Sequence, residues 1–118
     1  MMATILAVAL IFGVGMLFPG MAESADVAKG QAAYQKSCAT CHGTTGKGDG
    51  PMGVRMNPKL KDLTDKSYNG SLKDDYLAKI ILEGGKAVGK SPMMPKMGGT
   101  LSENDVADLI AYLRSLAK

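Results

Sequence analysis

The sequence predicts an all-α domain in which three main helices are joined by long loops. Three segments place apolar residues at helical spacing, at residues 26–37, 71–85 and 101–118. No segment shows the strict alternation of apolar and polar residues that a half-buried strand needs. The chain has no Trp, and its two Phe lie in the first 22 residues. A domain this small, with so few aromatic side chains, needs another group to complete its core.

The first 22 residues predict a secretory signal peptide. They carry no charge, and their apolar and small residues end in Gly20-Met21-Ala22, which suits cleavage after Ala22. Cleavage after Ser24 or Ala25 is an alternative, and the run is long enough to remain as an uncleaved membrane anchor. Its glycines and proline favour removal. We therefore expect residues 1–22 to be a leader and residues 23–118 to be one domain exported to the periplasm.

Two of the three helical segments begin with recognisable caps. In the second segment Ser71 is the expected N-cap, with Asp74 three residues later and a glycine pair at its end. In the third, Ser102 and Asp105 have the spacing of a capping box. The expected apolar faces are Val27, Ala28, Gln31 and Tyr34 in the first segment, Leu72, Tyr76, Leu77, Ile80 and Ile81 in the second, and Val106, Leu109, Ile110, Leu113 and Leu116 in the third.

Two long connections separate these helices, at residues 43–69 and 86–100. Both are rich in Gly, Pro, Lys and Met, and the sequence predicts no regular structure in either. Long loops in a compact domain are usually functional or disordered. We expect these two to pack against a bound group.

Cys38, Cys41 and His42 form the pattern Cys-x-x-Cys-His, and they are the only cysteines and the only histidine of the chain. The pattern is typical of covalent c-type haem attachment. Cysteines three residues apart on a helical turn point the same way and can form thioethers with the two vinyl groups of one porphyrin. The next residue projects over the ring, where its imidazole can bind the iron as the proximal ligand.

Two other uses of these residues are weaker. A redox-active disulfide between Cys38 and Cys41 would favour a thioredoxin-like protein, but such a protein needs a βαβ pattern that the sequence lacks. A zinc site would need a fourth ligand, and the chain has neither a third Cys nor a second His. Haem attachment is therefore the preferred interpretation.

The spacing of residues alone does not identify the ligand on the other face of the iron. After the leader the chain has five methionines, Met52, Met56, Met93, Met94 and Met97. A thioether ligand suits an electron carrier because it raises the reduction potential. The segment KSPMMPKMGG is the preferred place, since its prolines stiffen the backbone around two of the methionines. Met52 and Met56 are expected to fill gaps against the haem rim.

The chain resembles a class I monohaem cytochrome c of the small bacterial periplasmic kind. The resemblance rests on GQAAYQKSCATCHG, GKSPMMPKM and LSENDVADLIAYLRSL, and with the middle helix it covers nearly all of residues 23–118. It implies that Met94, the methionine immediately before a proline, is the second axial ligand. Met97 is the alternative if the ligand does not precede the proline. It also implies that Gly30 and Tyr34 cross the last helix near Tyr112.

The ring of a ligating histidine usually donates its other N–H to a carbonyl or carboxylate. In class I cytochromes a proline carbonyl after the attachment motif accepts this bond. Pro51 resembles that proline, and Pro58 is the alternative. The alternative interpretation is that both prolines only form turns in a loop.

With both axial positions filled, the expected function is transfer of single electrons rather than catalysis on a substrate. The chain has 14 basic and 11 acidic residues and no basic block, which gives no indication of nucleic-acid binding. Lys47, Lys86, Lys90 and Lys96 are expected to steer redox partners with acidic docking surfaces. A membrane contact is expected only through an uncleaved leader or a membrane-bound partner. Alternatives are a ligand-binding or sensor cytochrome with a displaceable Met, and a subunit of a larger oxidoreductase.

Overall fold

A computed structural model describes residues 24–118, so the predicted leader lies outside the described residues. Five α-helices follow in order: α1 (Val27–Ser37), α2 (Ala39–His42), α3 (Lys66–Ser71), α4 (Asp74–Glu83) and α5 (Glu103–Ser115). Single 3-10 turns lie at Gly53–Arg55 and Gly85–Val88. Over residues 24–118 the only β-type pairing is one bridge between Gly98 and Leu101. In the same residues no helix has the length and apolar character needed to cross a membrane.

Helices α1 and α5 cross at very short range, and this crossing is the framework of the fold. A Cβ atom added to Gly30 would lie 2.0 Å from the carbonyl oxygen of Asp108, so only glycine permits the approach. Next to it the ring of Tyr34 packs on that of Tyr112, with centroids 5.2 Å apart and planes tilted by 58°. The expectation that Gly30 and Tyr34 cross the last helix near Tyr112 is confirmed.

The buried face of α1 differs from the one predicted. Its buried residues are Gly30 and Tyr34, whereas Val27 is 44% exposed and Ala28 and Gln31 are also exposed. The helix faces α5 with Gly30 rather than with its first apolar residues, because the close crossing buries the side of α1 that carries this glycine. The Asp26 carboxylate caps α1 by accepting the Lys29 amide at 3.1 Å.

Helix α5 follows its prediction closely. Ser102 and Asp105 form the expected capping box, with Asp105 N–H donating to Ser102 Oγ and Ser102 N–H donating to the Asp105 carboxylate. Val106, Leu109 and Leu113 are buried from the predicted face, and Tyr112 joins them. Together with Tyr34, Ala39 and Ile81 they make the core cluster.

The prediction for the segment before α4 is wrong in two respects. Residues 66–71 form a separate helix, α3, and Ser71 ends it instead of capping α4, since its hydroxyl donates back to Tyr68 O at 2.6 Å. Helix α4 begins at Asp74, after Lys73. The α3 residue Asn69 is buried, and its amide donates to Leu113 O at 2.9 Å, which ties α3 to α5.

Candidate haem site

Cys38, Cys41 and His42 lie together on one short stretch of helix. Cys38 ends α1 and begins α2, in helical conformation, and His42 is the last residue of α2. The His42 amide donates to Cys38 O at 2.9 Å, which closes the turn that contains all three residues. All three are half-buried. The structure therefore presents the two thiols and the imidazole from a single rigid turn.

A glycine-rich loop wraps this turn and holds it by backbone hydrogen bonds. The amides of Gly48, Gly50 and Met52 donate to the carbonyls of His42, Cys41 and Thr40, at 2.7, 3.2 and 3.0 Å. We call residues 38–53, the turn and this loop together, the His side. These bonds use the carbonyls at the end of α2 that no helical amide can reach.

Two glycines of the His side allow the loop to approach α2 so closely. A Cβ atom at Gly53 would lie 1.9 Å from Cys41 O, and one at Gly50 would lie 2.4 Å from Thr40 O. The sequence predicts that this segment is part of a long loop packed against a bound group, without identifying the contacts of its glycines. The regular recurrence of glycine after His42 was the available signal, but the atoms that the glycines must avoid are known only from the fold.

The electrostatics of the turn fit a haem-binding role. Burial lowers the pKa of His42 and so favours the neutral ring, which has a lone pair available for a metal. Its buried Nδ1 atom has no hydrogen-bond partner in residues 24–118. Burial, and secondly the neighbouring Cys41, raises the pKa of Cys38 to about 11. Reactive redox cysteines have a lowered pKa, so this environment does not favour the thiol–disulfide alternative.

The structure places Pro51 and Pro58 at the surface, in the loop that follows the turn. Pro51 lies between two residues whose amides bond to α2, which keeps it beside the turn. Since His42 Nδ1 has no partner here, the bond to a proline carbonyl stays a prediction for the haem-bound protein.

The predicted methionine segment is held on the end of α4. The Gly85 amide donates to Met94 O at 3.0 Å, and the Met97 amide donates to Ile81 O at 2.9 Å. We call residues 84–98 the Met side. A Cβ atom at Gly85 would lie 2.1 Å from Ser91 O, so this loop too depends on a glycine contact.

The methionines differ clearly in exposure. Met93 is 61% exposed, while Met94 and Met97 are half-buried. Met97 packs against the core cluster. On the His side, Met52 is 44% exposed and Met56 is half-buried.

The two sides rest on different parts of the framework. Among the helices and turns, α2 packs on α1 and the 53–55 turn, whereas the 85–88 turn packs on α4. No Cα atom of α2 lies within 8 Å of a Cα atom of α4, α5 or the 85–88 turn. A flat prosthetic group held from two faces requires such separately supported segments. The residues present thus fit a haem.

Comparison with known proteins agrees with this site. The sequence profile of the family Cytochrome c matches residues 27–117. The chain is 36% identical over 94 residues to cytochrome c-554(547) of Halothiobacillus neapolitanus, covering 77% of this chain and 97% of that protein. It is 33% identical over 112 residues to cytochrome c-555 of Chlorobaculum tepidum, covering 93% of this chain and 94% of the relative.

A solved structure confirms the all-α cytochrome c fold. The KustC0563 c-type cytochrome superposes with a TM-score of 0.61 and 24% identity, covering 75% of this chain and 98% of that one. The family's cofactor is covalently bound haem c with its iron, and Cys38 and Cys41 have the spacing of its attachment motif. By sequence, fold and motif, the chain belongs to the cytochrome c family.

Proposed function

We propose that this protein is a single-electron carrier with His/Met ligation and no catalytic activity of its own. Cys38 and Cys41 form the thioethers to haem c, and His42 and Met94 are the axial ligands. The relatives named cytochrome c-554(547) and cytochrome c-555 support the carrier class. When bound, haem c supplies an iron that takes up and gives away one electron.

The chain's own residues keep the ligands in place. His42 lies on a turn whose last three carbonyls all accept hydrogen bonds from the following loop. On the Met side, the N–H of Met94 donates to Ser91 O and its C=O accepts from Gly85. Ligand atoms positioned by a bonded backbone need little rearrangement when the charge of the site changes.

The different settings of the three methionines support Met94 as the sulfur ligand. Met93 points largely into solvent, with 61% of its surface exposed. Met97 is engaged with the core cluster. Met94 is half-buried with both backbone polar groups bonded, and unlike Met97 its side chain is not packed against the core cluster, so it is the side chain left for ligation. This contrast is the observation on which the ligand assignment rests.

The partners we propose are redox proteins with acidic docking surfaces. Lys86, Lys90 and Lys96 are all exposed on or beside the Met side, and none forms an ion pair within residues 24–118. Residues 84–100 contain no Asp or Glu, so their charge is not neutralised locally. Lys47, on the His side, is also exposed. Such free lysines raise the rate at which acidic partners approach.

We further propose that residues 1–22 direct export to the periplasm and are then removed. The charge-free apolar stretch before Glu23 supports this proposal. A mass measurement of the purified native protein tests it, since cleavage after Ala22 predicts a chain beginning at Glu23.

The ligand assignment is tested with Met93→Ala, Met94→Ala and Met97→Ala proteins produced in a host that attaches haem in the periplasm. The ferric wild type should show the far-red charge-transfer absorption band of a sulfur–iron bond. Only Met94→Ala should lose it, and Met93→Ala is the matched control one residue away. Loss of the band in Met97→Ala alone would move the ligand to Met97. A wild type with covalent haem and no band would contradict His/Met ligation.

A further inference from the structure

The hydroxyl group of Tyr34 forms a contact that the packing of α1 on α5 does not require. It donates a hydrogen bond to the carbonyl oxygen of Gly43 at 2.6 Å, and the side chain is only 1% exposed. A phenylalanine would fill the same space against Tyr112. Gly43 immediately follows the proposed ligand His42, so the hydroxyl connects the helical framework to the residue next to that ligand.

Gly43 is the point at which the chain leaves α2. Its φ angle is +83°, a conformation that few residues other than glycine adopt, and its amide closes the helix by donating to Ala39 O at 2.9 Å. Its carbonyl accepts two hydrogen bonds. One comes from the amide of Gly46 at 3.2 Å, within the same loop, and the shorter one comes from Tyr34.

The two bonds on Gly43 O have different consequences. The Gly46 bond only closes a turn of the loop on itself. The Tyr34 bond fixes that turn to α1, and through the ring packing to α5. The neighbouring peptide, which carries His42 O, is in turn held by the Gly48 amide at 2.7 Å. Removing the hydroxyl therefore removes the buried side-chain bond between this turn and α1, and leaves the exposed bond from Gln35 Nε2 to Thr44 O at 2.9 Å.

We propose that Tyr34 is a positioning residue, whose hydroxyl fixes the carbonyl of Gly43, the residue after His42, and thereby the orientation of the imidazole toward the haem iron. This inference rests on the proposed role of His42 as axial ligand. Burial raises the pKa of Tyr34, so the hydroxyl remains a donor throughout the neutral range.

Tyr34→Phe and Tyr112→Phe form a matched pair for the test. Both remove one hydroxyl from the same aromatic contact, but within residues 24–118 no hydrogen bond from Tyr112 to the turn is present. The holoproteins are compared by amide hydrogen exchange at Gly46 and Gly48 and by the paramagnetically shifted NMR resonances of the His42 ring. Tyr34→Phe should accelerate exchange at these two amides about tenfold relative to wild type and shift the His42 resonances. Tyr112→Phe should change neither.

Two results would overturn the proposal. Equal exchange rates at Gly46 and Gly48 in both variants would show that the hydroxyl does not hold the turn. Faster exchange with unchanged His42 resonances would show a purely structural bond. Failure of the ligand assignment itself is recognised separately, because a His42→Ala holoprotein would then keep the wild-type low-spin spectrum.

Discussion

The His side and the Met side have similar loop contacts but pack on different helices. In each, a loop is bonded to the C-terminal end of a helix and contains a glycine without room for a Cβ atom. Gly53 lies against Cys41 O of α2, and Gly85 lies against Ser91 O within its own loop. The His side is joined to the α1–α5 crossing through Tyr34 and through the continuous chain of α1 and α2. The Met side is fastened to the end of α4, with much of its surface exposed.

This difference indicates that the His side is the more firmly fixed face and the Met side the more adjustable one. The face that carries covalent attachment is built into the most buried part of the molecule, where Tyr34 and Leu109 are almost completely covered. The face that carries the proposed sulfur ligand also carries the free lysines, so the proposed partner contact and the ligand support lie in one loop. Damage to the framework should therefore affect haem attachment, whereas damage to the loop should affect only the sulfur bond.

The largest effect is expected at the α1–α5 crossing. Gly30→Ala places a Cβ atom 2.0 Å from Asp108 O and 2.9 Å from Tyr112 Cβ, so the helices must separate. We expect a loss of about 3 kcal/mol in the free energy of unfolding, measured by denaturant titration of the holoprotein. Gly70→Ala is the control, since a Cβ atom there meets nothing within 4 Å, and it should cost no stability. Equal stability of the two variants would contradict the close crossing.

The next prediction separates the two sides directly. Gly53→Ala forces a Cβ atom against Cys41 O, and Gly85→Ala forces one against Ser91 O, at nearly the same distance of 1.9 and 2.1 Å. Gly53→Ala should reduce the yield of protein with covalently attached haem, because it displaces the attachment turn. Gly85→Ala should keep normal attachment and weaken the far-red sulfur–iron band.

Haem content by mass spectrometry and the ferric absorption spectrum are measured on both variants. If both lose attached haem to the same extent, the two sides are not independently supported. If both keep the haem and the band, the loop glycines are not needed at either contact.

The smallest effect is expected from the lysines of the Met side. Replacing Lys86, Lys90 and Lys96 by Glu should slow reduction by ferrocyanide, a small anionic donor, by roughly three- to tenfold at low ionic strength, with a reduced difference at high salt. Lys61, Lys66 and Lys73, which lie outside both sides, provide a control with the same change of charge. Equal slowing in the two triple variants would show that only net charge matters.

Sequence reasoning succeeded where local chemistry decides the outcome. The attachment motif at Cys38, Cys41 and His42 identified the cofactor, and the Ser102–Asp105 spacing identified the start of α5, because in each case neighbouring residues interact with one another. It failed at α3, whose sequence KSYNGS has no apolar periodicity and is held instead by Asn69 bonding to Leu113 O. That partner lies 44 residues away and cannot be inferred locally.

The same limit applies to the site. Spacing did not separate Met93, Met94 and Met97, since their different exposure follows from bonds that the Met side makes with the end of α4. The close contacts of Gly30, Gly53 and Gly85 also depend on distant backbone atoms. Glycine content suggested loops, but only the fold shows which glycines exclude a side chain.

If residues of the protein ligate both faces of the iron, no position is open for an external ligand, and carbon monoxide binding measures this. The reduced wild-type holoprotein and Met94→Ala are titrated with carbon monoxide and followed by absorption. We expect no binding to the wild type at neutral pH and ready binding to Met94→Ala, with Met93→Ala behaving as wild type. Tight binding to the reduced wild type would contradict the carrier function and favour a ligand-binding cytochrome.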